Sequence, residues 1–85
     1  MKLNLVCTCG AYPEQYDVFD ENKNQVAYYR LRHGYFRVEV PYSGGETIYE
    51  AYPKGYGLFQ ENEKDFFLEE AENAVFKYYG TKEKE

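Results

Sequence analysis

Eighty-five residues carrying a formal charge of −5, with 44% of them hydrophobic, make one domain with an economical core and no room for a second module. The acidic balance argues against direct nucleic-acid binding, which relies on lysine and arginine to displace counterions from phosphates, but it allows a local basic patch. Eleven of the hydrophobic residues are tyrosines, each with a hydroxyl that wants water or a partner, so exposed tyrosine is expected.

The chain begins MKLNLVCTCG, a short apolar stretch interrupted by Asn4 and lacking the long apolar run of a signal peptide. Nowhere do about 18 apolar residues run together, so no membrane association is expected. Two cysteines are too few for a secreted disulfide framework. The expectation is a soluble cytoplasmic protein, with a globular domain over 1–80 and TKEKE, 81–85, as a frayed charged tail.

In KLNLVCTC the alternation places Leu3, Leu5, Cys7 and Cys9 on one face and Asn4, Val6 and Thr8 on the other, which suits a first strand. Gly10 and Pro13 break it. YDVFD (16–20) and QVAYYRLR (25–32) are rich in β-branched and aromatic residues and flank the polar turn ENKN, so they read as a hairpin. His33-Gly34 offers a two-residue turn into the next strand. With that turn as the loop, Arg32 faces Tyr35, Leu31 faces Phe36, Arg30 faces Arg37, Tyr29 faces Val38 and Tyr28 faces Glu39. One face then holds Ala27, Tyr29, Leu31, Phe36, Val38 and Val40, and the other holds Tyr28, Arg30, Arg32, Tyr35, Arg37 and Glu39. A slip of one residue would bury arginines, so the pattern specifies the pairing.

After the PYSGG turn, ETIYEAY (46–52) reads as a further strand and PKGYGLFQ (53–60) as a loop that could rim a pocket. A helix follows, with Asn62 as its cap, Asp65 three residues later, and Gly80 ending it after about Tyr79. Its apolar stripe comprises Phe67, Leu68, Ala71, Ala74, Val75 and Tyr78. The expected fold is α+β: a small twisted antiparallel sheet of four to five strands, covered on one face by a single C-terminal helix.

Two surfaces are candidates for function. On the basic hairpin face, Arg30 and Arg37 are expected directly opposite each other, where like charges need an anion between them. Arg30, Arg32 and Arg37 with Tyr28 and Tyr35 would suit a small anionic or nucleotide-like ligand, the guanidinium forks binding phosphate or carboxylate and the rings stacking. The ordinary alternative is internal pairing, since Asp17 is expected beside Tyr28 and Glu39 lies on the same face. On the helix, Glu61, Asp65, Glu69 and Glu72 fall on one side, flanked by Phe66 and Phe76, which project away from the packing stripe. These two either cap the edges of the core or anchor a protein partner, for which the acidic face favours a basic target.

Cys7, Cys9 and His33 are the weak metal candidates, because thiolates two apart on a strand point the same way. A closed site needs a fourth ligand, and buried, reduced cysteines are the simpler reading. No catalytic residues and no cofactor are expected. His33 has no identifiable nucleophile or orienting acid, and PKGYG lacks phosphate-loop spacing.

The segment YPEQYDVFDENKNQVAYYRLRHGYFRV resembles small, largely uncharacterised proteins carried by phages and mobile elements of Gram-positive bacteria. That resemblance covers the first half of the chain and implies a non-enzymatic protein that inhibits or sequesters host machinery. The leading expectation is therefore a binding protein acting on a host nucleic-acid-associated or defence protein through the acidic-aromatic helix face. A module for a small anionic ligand is the alternative, and a homodimer is compatible with either.

Overall fold

The computed structural model describes residues 1–8 and 13–80. Five strands, β1 (Asn4–Cys7), β2 (Glu14–Phe19), β3 (Gln25–Arg32), β4 (Tyr35–Val40) and β5 (Glu46–Ala51), form one antiparallel sheet in the order of the chain, and helix α1 (Lys64–Tyr79) follows. This is the expected α+β architecture. Cys9 and the expected tail lie outside the described residues. Among the described residues no helix is long and apolar enough to cross a membrane.

The β3–β4 register is the one the alternation dictates, from Arg32 opposite Tyr35 to Tyr28 opposite Glu39. His33 and Gly34 both have positive φ, 56° and 73°, as a type I′ turn requires, and its twist matches that of the strands it joins. The β2–β3 turn is closed by Asp20, whose carboxylate accepts the N–H groups of Asn22 and Asn24. Strand β2 starts at Glu14, two residues before the expected Tyr16, because Glu14 and Gln15 continue the ladder opposite Leu31 and Arg30. A bulge follows at its far end, where Val18 pairs with Ala27 but Phe19 with Gln25. The extra residue, Val26, joins Ala27 in the core, and Gln25 turns to the opposite face, where it donates to Asp17.

One face of the sheet carries the core: Val18, Ala27, Tyr29, Leu31, Phe36, Val38 and Val40, closed by Ala71 and Val75 of α1 and by Phe59 from the preceding loop. Phe36 is its centre, meeting Tyr29, Tyr49, Phe59 and Phe67 edge to face, while Phe59 and Phe67 stack at 5.9 Å. Each such side chain contributes about 1.5–3 kcal/mol when fully buried. The helix lies over β3 and β5. Its last turn is tied to the sheet by Tyr79, whose hydroxyl donates to the Val26 carbonyl at 2.6 Å.

The helix starts one residue later than expected. Glu63, and not Asn62, takes the N-cap position, but its side chain does not cap. Its carboxylate instead accepts the N–H groups of Lys54, Gly55 and Gln60, and so folds the 53–60 loop back onto the helix entry. The other end is as expected, with Gly80 in the left-handed conformation donating to Phe76 and Lys77 carbonyls. Tyr78, placed on the apolar stripe by periodicity, is 48% exposed, whereas Phe76, placed off it, is only 4% exposed.

Candidate functional site

The sheet face opposite the helix carries the arginines. Across β2, β3, β4 and β5 one row of it reads Gln15, Arg30, Arg37, Glu50, and the next reads Asp17, Tyr28, Glu39, Thr47. Strand alternation alone brings these side chains together, so the expected juxtaposition of Arg30 with Arg37 is present, and Asp17 does lie beside Tyr28.

The acids nearby are committed elsewhere. Glu39 takes Arg37 Nε at 3.1 Å on one oxygen and the Gly44 N–H on the other. Asp17 accepts from Gln25, and Glu50 accepts from the Tyr35 hydroxyl at 2.9 Å. Of the three arginines, only Arg37 is neutralised by a described residue. Among the described residues neither Arg30 nor Arg32 forms an ion pair, and Arg30 Nε is buried with no hydrogen-bond partner. Internal pairing of the whole face is thus corrected by the geometry: a carboxylate in the right strand register was bound by an amide that the β2–β3 bulge turned toward it.

Tyr28 is buried rather than presented, its hydroxyl donating to Gln15 Oε1 at 3.0 Å. Burial raises its pKa against the pull of Arg30 and Arg37. It forms a wall of the face and offers no stacking surface. Tyr35 is half-buried, lies beneath the Arg37 guanidinium at 5.9 Å and meets Tyr52 at 5.4 Å. At the turn, Arg32 and His33 line a pocket of about 440 Å³ whose other walls are Pro13, Tyr56, Gly57 and Leu58. Tyr56 is held over the turn by its carbonyl, which accepts the Gly34 N–H at 2.7 Å, and its hydroxyl lies 3.4 Å from His33 Nδ1. The PKGYG segment is therefore a pocket rim, built from residues 24 positions from Arg32 in sequence.

The helix surface divides differently from its expected pattern. Glu61, Asp65 and Glu69 are exposed and Glu72 is half-buried. Phe66 is 57% exposed beside them, but the burial of Phe76 removes it as an anchor. A helical wheel assumes that burial comes only from the sheet directly below, and here burial does not follow that stripe, since Phe76 is buried off it while Tyr78 on it is exposed.

Cys7 is exposed and not buried as expected, at the end of β1, which is an edge strand of the sheet. No group of three or more His, Cys, Asp or Glu capable of holding a metal occurs among the described residues.

One polar cluster has no counterpart in the sequence reading. Glu14 is buried at the start of β2, where its carboxylate accepts from the Tyr16 hydroxyl, from Phe59 N–H at 3.0 Å and from Lys64 Nζ at 3.1 Å. Burial pushes the Glu14 carboxyl up, but these three donors together outweigh it and hold its pKa below the ordinary value. Burial and the Glu14 bond push the Tyr16 hydroxyl up to about 12. All of these contacts are internal, so the cluster joins sheet, loop and helix. Its one sequence signal is that Glu14 and Tyr16 share a face of a strand.

Comparison with protein-family models, curated proteins and solved structures finds no match for this chain.

Proposed function

We propose that this protein is a non-enzymatic binding module that holds a small phosphate- or carboxylate-bearing ligand on the uncovered sheet face, with Arg30 as the main anchor, Arg37 beside it and Arg32 toward the turn. The observation that carries the reading is Arg30 Nε, buried without an acceptor and opposite a second arginine. A buried unpaired donor costs about 1–3 kcal/mol, and two arginines abreast repel. An oxyanion between them would satisfy both, through charge-assisted bonds stronger than neutral ones. A binding role is preferred to catalysis because, among the described residues, the buried Glu14 is occupied in structural bonds and His33 has Tyr56 as its one hydrogen-bonding side chain.

The test is thermal unfolding in inorganic phosphate against chloride at matched ionic strength. Phosphate should raise the midpoint of the wild type in a saturable way. Arg30→Gln should remove that rise, and Lys23→Gln, in the exposed turn, should retain it. An equal response in all three would reduce the effect to general ion exclusion and defeat the reading.

A second reading rests on a different observation, the exposure of Phe66 among Glu61, Asp65 and Glu69. These residues would suit a basic protein partner, in keeping with a phage-type inhibitor of a host nucleic-acid-associated or defence protein. Glu69→Lys and Phe66→Ala should each weaken capture of such a partner while leaving the phosphate response intact.

A further inference from the structure

The rim of the pocket at the β3–β4 turn is pinned through its backbone. Glu14 N–H donates to the Gly57 carbonyl at 2.7 Å, Gly34 N–H donates to the Tyr56 carbonyl at 2.7 Å, and the Glu14 carboxylate accepts the Phe59 N–H. With the segment so fixed, Phe59 lies in the core, whereas Tyr56 and Leu58 remain 69% and 46% exposed. Large apolar side chains held in water beside a cavity of about 440 Å³ are what a preformed small-molecule pocket presents.

The polar part of the lining identifies the ligand. Arg32 is one wall, and its guanidinium has no ion pair or hydrogen bond among the described residues. No carboxylate lines the pocket. Glu14, next in sequence to the Pro13 wall, is turned toward the helix and paired with Lys64, and Glu50 is engaged by the Tyr35 hydroxyl. The lining therefore carries an uncompensated positive charge, which an anion complements. Beside it the rings of His33 and Tyr56 meet at 5.4 Å and 41°, an aromatic wall on which a further ring can pack.

We infer that this pocket takes a small aromatic anion, its ring between Leu58 and the His33–Tyr56 wall and its phosphate or carboxylate on Arg32. Arg30 lies two residues back on the same face of β3, with the two Cα atoms about 7 Å apart, so both guanidinium groups can share one acidic group. The inference deepens the arginine-face reading and rests on it for the anion, adding the chemistry of the rest of the ligand.

The test compares inorganic phosphate, phenyl phosphate and cyclohexyl phosphate as ligands of the 85-residue chain at fixed pH and ionic strength, followed by amide and methyl NMR. Phenyl phosphate should bind about tenfold more tightly than inorganic phosphate, because its ring leaves water. It should bind about threefold more tightly than cyclohexyl phosphate, which lacks a flat face, and should shift the Leu58 methyl signals upfield by its ring current. Leu58→Ser and Tyr56→Ala replace exposed side chains, and the Tyr56 bond to Gly34 is made by backbone, so both variants should fold. Each should bring the affinities for phenyl and inorganic phosphate close together, and Arg32→Gln should weaken phenyl phosphate about tenfold. Inorganic phosphate binding with no phenyl advantage, an advantage that survives both rim variants, indifference to Arg32→Gln, or equal binding of cyclohexyl phosphate would each overturn the aromatic pocket while leaving the Arg30 anion site standing. Absence of saturable binding by all three phosphates would overturn the inference together with the reading beneath it.

Discussion

The Glu14 carboxylate lies 3.1 Å from the Lys64 ammonium, joining the second strand to the first turn of the helix across a loop that contributes Phe59 N–H to the same carboxylate. The two partners are unequal, because Glu14 is buried and serves three donors while the Lys64 side chain is 45% exposed. Glu14→Ala strands the Phe59 N–H and the Tyr16 hydroxyl and should destabilise by about 3 kcal/mol. Lys64→Ala should cost about 1 kcal/mol, since the remaining donors still hold Glu14. Equilibrium denaturation of both variants checks the asymmetry, and equal losses would contradict it.

The same carboxylate shapes the response to acid. Glu14 has a depressed folded pKa, and so does Glu63, where burial, the largest single influence, pushes the carboxyl up but the N–H groups of Gln60, Lys54 and Gly55 together outweigh it. Unfolding therefore takes up protons at low pH. The stabilisation is fully present above the unfolded carboxylate pKa of about 4.3 and is lost as pH falls through the lower folded values. At the alkaline end Tyr16, pushed up to about 12, holds its proton in the folded chain when the unfolded chain releases it near 10. Its contribution is present below about pH 10 and lost as pH rises toward 12. Denaturation midpoints across pH should fall at both ends, and Glu14→Gln should flatten the acid limb.

Tyr29 is fully buried at the core's centre with its hydroxyl unpartnered, and burial, reinforced by Glu72, raises its pKa strongly. Removing that oxygen leaves the ring contacts with Tyr16 and Phe36 in place. Tyr29→Phe should be neutral or stabilising by about 1 kcal/mol, opposite to the usual sign for a core tyrosine. A loss above about 1 kcal/mol, seen by thermal or chemical unfolding, would mean the hydroxyl has a bound partner such as water.

Arg30 in the ligand-free protein is both unpaired and opposite a like charge. Arg30→Met keeps most of the aliphatic stem and deletes the guanidinium, so it should stabilise by about 0.5–1 kcal/mol in low-salt buffer without phosphate. The gain should shrink as salt screens the repulsion from Arg37. Destabilisation in that buffer would show that the guanidinium is satisfied in the free protein.

Gly55 lies where the loop doubles back, and a Cβ there would meet the Leu58 carbonyl oxygen at 1.9 Å. The obstacle is backbone, which cannot move aside as a side chain can. Gly55→Ala should cost about 2 kcal/mol or more, and the hydrogen-exchange protection of the Phe59 and Gln60 amides should drop with it. Unchanged protection would place the strain elsewhere.

The sequence determined whatever depends on neighbours along the chain. Alternation from Gln25 to Val40, with a His-Gly pair able to adopt two positive φ values, specifies the hairpin, its register and the meeting of Arg30 with Arg37. Gly80 specifies where the helix stops. Period-two and period-3.6 patterns are local quantities, and these features follow from them. What the tertiary structure decided is how the elements cover one another. A wheel cannot show that the sheet leaves Tyr78 overhanging its β5 edge while Phe76 is buried. Strand register can bring Asp17 near the arginines, but a bulge at Val26 sends Gln25 to occupy it. Glu14, Phe59 and Lys64 meet across gaps of 45 and 50 residues, and Tyr56 closes over the His33 turn from the far side of β5. Which charge is paired and which pocket is open depends on three-dimensional competition for a few partners, and no local pattern encodes its outcome.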